Sequence, residues 1–399
     1  MLTGKNIVLG VSGGIAAYKM VDVASALYKL NANVHVIMTE NATKIIPPQT
    51  FEIITKNKCY VDTFDRDVDD SVHVPHISLG TGADLFLIAP ASADVIGKLA
   101  HGIADDMLTT TVLPARCPML ICPSMNVYML ENPVVQDNIE TLKRYGYKVI
   151  DSATGYLACG YEGKGKLPDR DVLVDAVLHE IGAEHDLAGK KLMVTAGPTR
   201  EPIDPVRFIS NQSTGKMGYA IAKRAALRGA EVTLVSGPVS LKVPYGVKCV
   251  DVETAQDMYD AVMEAAPGMD IIIKSAAVAD YTPAAVADNK IKKTDGDMSI
   301  PLVRTKDILK TLGETKKDGQ FICGFSMETE NVLENSRAKL EKKNVDMICA
   351  NNLKVEGAGF KTDTNVVTII TKDATTELPK MSKEEVADEI LNNIVTIHG

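Results

Sequence analysis

Two stretches of this chain, "KNIVLGVSGGI" from Lys5 and "KKLMVTAGPTR" from Lys190, follow one plan. In each, a short apolar run ends in a turn of small residues. An amphipathic stretch and a second apolar run follow, "NANVHVIM" in the first case and "GAEVTLVSG" in the second. Runs nearly continuous in Val, Ile and Leu are the mark of strands buried on both faces of a parallel sheet. Further runs are "DLFLIAP" (84–90), "PMLICP" (118–123) and "YKVID" (147–151), and amphipathic stretches lie at 15–30, 93–101 and 132–145. This alternation predicts a doubly wound α/β domain. The polar "AEHDLAG" at 183–189 interrupts the pattern, which places a boundary near residue 186 and gives domains of 1–186 and 187–399. In the second domain "DIIIKSAA" (270–277), "FICGF" (321–325) and "DMICAN" (346–351) continue a mainly parallel sheet. "NVVTIITKDATTEL" reads as a hairpin at an antiparallel edge, and Ser382 with Glu385 three residues on opens a last helix as a capping box. Any two Rossmann-like units share this plan, so it is read as a common fold and not as a recent duplication.

Composition limits the function. The 399 residues are 45% apolar and 24% charged, the balance of a soluble globular chain. A formal charge of −9 argues against nucleic-acid binding but leaves room for a local basic pocket. No run approaches the roughly 18 apolar residues of a membrane span. The N-terminus enters a strand pattern without a basic leader or a cleavage site, so a cytoplasmic location is expected. Five of the seven cysteines (Cys117, Cys122, Cys249, Cys323 and Cys349) lie in or beside apolar runs, as small core residues in a reducing compartment do. Cys159 stands apart, in "YLACGYEGKGKLPD" (156–169), where glycines and charges replace any apolar period. That stretch is predicted to be an exposed loop.

The first glycine turn, "VSGGIAAYK" (11–19), joins a strand end to a helix start, where exposed amides favour an anion and glycine lets it approach. The dinucleotide pattern G-x-G-x-x-G is absent, and one phosphate fits better than a pyrophosphate. Glu40 after the second strand would suit a ribose, which keeps a nicotinamide enzyme open. Ser92 in "APASAD" has two readings, a helix N-cap and a ligand contact at the carboxyl edge of the sheet. Asn126 in "CPSMNVYM" is a turn residue or a site residue, and His76 in "HVPHISLG" is structural or catalytic.

Taken together, Ser12-Gly13-Gly14, "PHISL", "PASAD", the run Pro123-Ser124-Met125-Asn126-Val127-Tyr128-Met129 and the "ACG" loop resemble the flavin-dependent cysteine decarboxylases. Over all 399 residues the chain resembles the bifunctional phosphopantothenoylcysteine decarboxylase/phosphopantothenate–cysteine ligases of coenzyme A synthesis. The resemblance implies a flavodoxin-like first domain holding FMN through Ser12, Gly13, Gly14, Thr39 and Ser92. It also implies catalytic roles for His76 (with His73 as the competing histidine), Asn126 and Cys159. His76 would act near the substrate thiol, and Asn126 would hold the departing carboxylate, with their roles partly exchangeable. The cysteine moiety would lose two electrons to FMN and become a thioaldehyde, CO2 would leave, and Cys159 on a flap would protonate the remaining enethiolate.

In the second domain "STGKMG" fails as a P-loop, since Ser210 stands where the first glycine should be and Met217 follows Lys216. "ISNQSTGKMG" instead resembles the ligase signature, with Asn211 in contact with an acyl-nucleotide. "SAAVADY" (275–281) ends a strand in small residues that permit close approach of a base or ribose. The resemblance implies CTP contacts from Ser275, Ala276, Asp280, the stretch Lys306, Asp307, Ile308 and Leu309, Phe325, Lys339 and Lys343. Asp280 would also hold Mg2+. Lys339 and Lys343, four apart, share one helix face. Lys290 in "NKIKK" is a solvated basic residue by composition and a phosphate contact by resemblance. The family's Pro-Asp turn is replaced here by Lys306-Asp307. The small-molecule partners implied are 4′-phosphopantothenate, cysteine and CTP, in a homo-oligomer of decarboxylase trimers and ligase dimers. Two alternatives are a nicotinamide oxidoreductase using both halves, and a flavoprotein whose second domain only binds or regulates. Intact His76, Asn126, Cys159, Asn211 and Lys290 argue against the latter.

Overall fold

The computed structural model describes residues 2–64, 74–156, 160, 162–292, 298–328, 332–352 and 362–398. It forms two compact units, Met1–Ala183 and Glu184–Gly399.

In the first unit, six parallel strands lie in the spatial order Cys59–Tyr60, Asn33–Met38, Asn6–Val11, Leu85–Ala91, Met119–Pro123, Lys148–Val149. Without the two-residue edge strand this is the flavodoxin order, and with it the Rossmann order. Every residue of Leu85–Ala91 is buried, as its unbroken apolar run requires. One face packs on helices Ala93–His101, Met107–Val112 and Pro133–Arg144 through Phe86, Ile88, Leu99, Leu108, Ile121 and Leu142. Each such fully buried side chain contributes about 1.5–3 kcal/mol. The amphipathic stretch 15–30 begins as a 3-10 turn, Ile15–Lys19, before the α-helix Met20–Lys29.

The stretch 156–169 departs from the loop expected there. Ala153–Tyr156 and Glu162–Lys166 pair antiparallel as a hairpin. Its apolar alternation is hidden because two of its inward positions are glycines. A Cβ on Gly163 would lie 3.2 Å from Val127, and one on Gly165 would lie 2.3 Å from the Met125 carbonyl oxygen. Gly165 also has φ +128°, and its own carbonyl accepts from the Met125 amide at 3.1 Å. The glycines therefore let the hairpin dock on the turn that carries Asn126.

The second unit repeats the plan. Its parallel strands run Val247–Asp251, Glu231–Ser236, Lys191–Ala196, Ile271–Lys274, Phe321–Glu328, Met347–Asn352, followed by the antiparallel Val367–Thr371 and Thr375–Glu377. The last two are the expected edge hairpin. The capping box forms in both directions, with the Ser382 amide donating to Glu385 at 2.8 Å and the Glu385 amide to Ser382 Oγ at 3.2 Å.

Candidate active sites

In each unit the strand order reverses beside the first strand, and a cleft opens there at the carboxyl edge, where open α/β sheets bind ligands.

In the first unit this cleft is about 560 Å³ and runs from the Gly13–Gly14 turn to Ser92, Ser124–Asn126 and the hairpin residues Tyr156, Gly165 and Lys166. Ser12 is fully buried behind it. Its Oγ donates to the Pro90 carbonyl at 2.6 Å and accepts from the Ser92 amide at 2.9 Å, joining two strand ends. Gly13 packs on the neighbouring turn so closely that a Cβ would sit 2.5 Å from Asn41 Cβ. Thr39 caps that turn, accepting from the Ala42 amide at 3.3 Å. Ser12 and Thr39 thus build the glycine turn without lining the cleft. Ser92 is the N-cap of Ala93–His101, as one of its readings has it, and it also lines the cleft. Asn126 lines it while its side-chain oxygen accepts from the Tyr128 amide at 2.9 Å.

The walls are Ile15, Tyr18, Met125, Met129 and Leu167, and the charged lining residues are Lys19 and Lys166, both cationic. Apolar walls with a glycine turn at one end suit a planar ring bearing a phosphate, so these residues fit FMN. His76, on helix Pro75–Gly82, does not line this cleft, and its Nδ1 is buried without a hydrogen-bond partner among the described residues. His73 and Cys159 lie outside the described residues.

The second unit has a cleft of two lobes, about 520 and 330 Å³, which share Lys274, Val278, Asp280, Phe325 and Lys339. The larger is walled by Lys306, Asp307, Ile308, Leu309 and Lys343. The smaller holds Ser275, Ala276 and the start of helix Lys216–Leu227, whose N-cap Gly215 has φ +77° and no side-chain cap. The lobes carry eight Lys or Arg side chains against two carboxylates, in a chain whose net charge is negative.

Several of these groups hold each other. Asp307 N-caps helix Ile308–Glu314, accepting from the Lys310 amide at 2.9 Å, so the turn lacking proline is fixed by its aspartate. Asp307 also pairs with Lys343. Burial pushes its carboxyl up, but Lys343 and the Lys310 amide outweigh this and hold it below the ordinary value. Lys306 stacks over the Tyr259 ring at 4.6 Å. Gly313 brings its helix against the turn after Val332–Lys342 so tightly that a Cβ would fall 1.7 Å from the Lys343 carbonyl. Asn344 closes the contact, donating to the Gly313 carbonyl at 2.9 Å.

Asp280 lines both lobes. Among the described residues no three carboxylate, histidine or cysteine groups cluster as a metal cage. A single carboxylate fits Mg2+ that is held chiefly by phosphates and water. Asn211 stands beside the smaller lobe, its amide donating to the Ala277 carbonyl and its Oδ1 accepting from the Ser213 amide at 3.0 Å. Lys290 is exposed and lines neither lobe. Its segment is pinned where the Ile291 amide donates to Asp204 at 3.1 Å and Arg207 donates to the Ile291 carbonyl at 3.1 Å. Asp204 is held well below the carboxylate range by Arg207 first, against burial, and then by the amides of Val206, Ile291 and Arg207.

Sequence reasoning missed Lys274, which lines both lobes, and Arg304, Lys310, Lys216 and Lys383. A lysine closing the apolar run "IIIK" was the available signal for the first.

Two family models match the chain, one described as "Flavoprotein" over residues 1–182 and one as "DNA/pantothenate metabolism flavoprotein C-terminal domain" over residues 187–397. The coenzyme A biosynthesis bifunctional protein CoaBC of Bacillus subtilis (strain 168) is 50% identical over 401 residues, covering 100% of this chain and 98% of its own. That of Vibrio vulnificus (strain YJ016) is 44% identical over 400 residues, covering 100% of this chain and 99% of its own. A crystal structure of the C-terminal domain of a coenzyme A biosynthesis bifunctional protein CoaBC is 49% identical, covers 54% of this chain and 98% of its own, and has a TM-score of 0.47.

Proposed function

The chain belongs to the family of bifunctional coenzyme A biosynthesis proteins, and from that premise we propose how its two clefts divide the work. Residues 187–399 join cysteine to 4′-phosphopantothenate at the expense of CTP, and residues 1–186 decarboxylate the product to 4′-phosphopantetheine. The carrying observation is the pair of switch-point clefts with opposite linings, one apolar and one lined with lysines.

In the ligase cleft a carboxylate must be activated before an amine can attack it. The phosphopantothenate carboxylate attacks the α-phosphorus of CTP and the bond to pyrophosphate breaks, giving an acyl-cytidylate. The amine of cysteine then displaces CMP. Lys306, Asp307, Ile308, Leu309, Phe325 and Lys343 receive the base and ribose. Ser275, Ala276 and the helix start at Gly215 receive the phosphates. Lys339 neutralises developing charge, and Asp280 would hold a Mg2+ that would supply further neutralisation. Asn211, beside the phosphate lobe, handles the acyl-cytidylate, and Lys290 reaches the phosphates from its anchored segment.

In the decarboxylase cleft Gly13, Gly14 and Ser92 hold the FMN phosphate, and Ile15, Tyr18, Met125 and Met129 border the ring. Ser12 and Thr39 hold the turn in shape. FMN held there would accept two electrons from the cysteine moiety before the carboxylate departs and would supply two electrons back afterwards. Asn126 holds the carboxylate, His76 acts near the thiol, and Cys159 protonates the enethiolate. The hairpin flanking Cys159 lines the cleft through Tyr156 and Lys166, which supports its role as a flap. His76 lies outside its own chain's cleft, which supports a homo-oligomer in which a second copy brings it in, trimeric for this half, with the ligase halves as dimers. Among the described residues no helix is long and apolar enough to cross a membrane, which accords with work in the cytoplasm.

The test is incubation with 4′-phosphopantothenate, cysteine, CTP and Mg2+, with products identified by mass. 4′-Phosphopantetheine, CO2, CMP and pyrophosphate are expected. ATP used as well as CTP would remove the cytidine assignment, and release of a flavin other than FMN on denaturation would remove the cofactor assignment.

A further inference from the structure

Lys274 closes the strand Ile271–Lys274 between Thr195 of one neighbouring strand and Gly324 of the other. Its position is unusual in three ways. It lines both lobes of the second cleft and so stands at their junction. It is half-buried and, among the described residues, has no hydrogen-bond or ion-pair partner. Its charged neighbours are mixed. Lys339 and Lys343 face it from the end of helix Val332–Lys342, Asp307 from the cap of Ile308–Glu314, and Asp280 from the loop after its own strand. Asp307 is already engaged by Lys343. Two carboxylates set against two lysines leave an ammonium in such a place with less counter-charge than burial demands. Burial first and Lys339 next push its pKa down to about 8.

We propose that Lys274 contacts the nucleotide's phosphate chain at this junction, on the phosphorus that the carboxylate attacks. The proposal rests on the ligase reading above. A base in the larger lobe and terminal phosphates at the helix start in the smaller one leave the first phosphate beside the residues that both lobes share. The incoming anion adds to the counter-charge of Asp280 and Asp307, which Lys339 and Lys343 offset. Lys274 forms no covalent bond. It neutralises oxygen charge as the bond to pyrophosphate breaks and the electron pair leaves with pyrophosphate.

The experiment compares the full wild-type chain with Lys274→Met, Lys274→Gln and Lys274→Arg in the ligase assay, with cytidine as a competitive inhibitor. Flavin content and thermal unfolding establish that each variant is folded. For Lys274→Met and Lys274→Gln, kcat/KM for CTP is expected to fall about 10- to 100-fold, the range for loss of one charge-assisted hydrogen bond. The cytidine inhibition constant should stay within about twofold, because cytidine has no phosphate, and arginine should restore most of the loss. CTP and cytidine weakened alike, or kcat/KM for CTP unchanged in folded variants, would overturn the proposal. If wild-type chain forms no CMP, the ligase reading itself falls. CMP formation with an indifferent Lys274→Met removes only the proposal.

Discussion

The two clefts occupy the same place in the same strand order, yet their linings have little in common. The first pairs aromatic and methionine side chains with a glycine turn and two lysines. The second gathers cations from five separate segments around two carboxylates. The strand order fixes only where a ligand binds. What binds is written in the residues at the strand ends, which the sheet leaves free to vary. The clefts also differ in completeness. Most residues assigned to CTP meet within one chain, whereas His76 does not line the flavin cleft of its own chain.

This contrast can be broken. The largest effect is expected from His76→Asn, which should reduce decarboxylation about 10²- to 10⁴-fold, the usual worth of an acid–base group, and leave CMP formation within about twofold. Parallel loss of both activities would mean that His76 supports the fold. Cys159→Ser should still release CO2 but accumulate the enethiol, identified by mass, since a hydroxyl is a far weaker acid than a thiol of pKa roughly 8.5. Normal product from this variant would return Cys159 to an ordinary loop residue.

Gly165→Ala tests the docked hairpin. The new Cβ meets the Met125 carbonyl at 2.3 Å in a residue with φ +128°. The local cost is about 2–4 kcal/mol, and decarboxylation should drop about 10- to 100-fold with ligation unaffected. An unchanged rate would show that the hairpin does not set the cleft.

Smaller effects sharpen the second cleft. An amine whose ordinary value is 10.5 but which is held near 8 binds its proton more readily in the unfolded chain. Lys274 therefore destabilises the fold fully below about pH 8, and the penalty fades as the pH rises toward 10.5. Lys274→Met should stabilise the second unit by on the order of 1 kcal/mol at pH 7, read from urea midpoints, with the gain shrinking at high pH. In wild-type chain, kcat/KM for CTP should decline as the pH is raised through about 8, and this step should be absent from Lys274→Met. The smallest effect is screening. Raising salt from about 0.05 to about 0.5 M should raise the KM for CTP about threefold and leave flavin retention nearly unchanged. Equal sensitivity would erase the contrast between the linings.

Much of this was legible beforehand, for identifiable reasons. Asn6–Val11, Leu85–Ala91 and Ile271–Lys274 announce themselves because strands covered on both faces can carry few polar residues. The hairpin at Ala153–Lys166 did not, because close docking replaced its inward side chains with glycine. Asp280, the Lys306–Leu309 turn, Phe325, Lys339 and Lys343 all line the larger lobe. Ser12 and Thr39 belong to the turn and not to its surface, a distinction that requires knowing where each oxygen points. Lys274 was overlooked because a lysine at the end of an apolar run looks like any strand terminus. Only folding shows that two lobes meet there.

The Gly313 contact has a geometric consequence. The two walls of the larger lobe, the Lys306–Leu309 turn and the lysines at the end of Val332–Lys342, are locked to one another where Gly313 abuts the Lys343 carbonyl and Asn344 ties it down. The slot then behaves as a caliper with its screw tightened, the screw being the backbone contact between Gly313 and Lys343. If this lobe takes the base as proposed, spreading its two walls for a wider heterocycle would mean moving a whole helix off a backbone carbonyl, so main-chain packing would weigh on ring size as well as any hydrogen bond to the base.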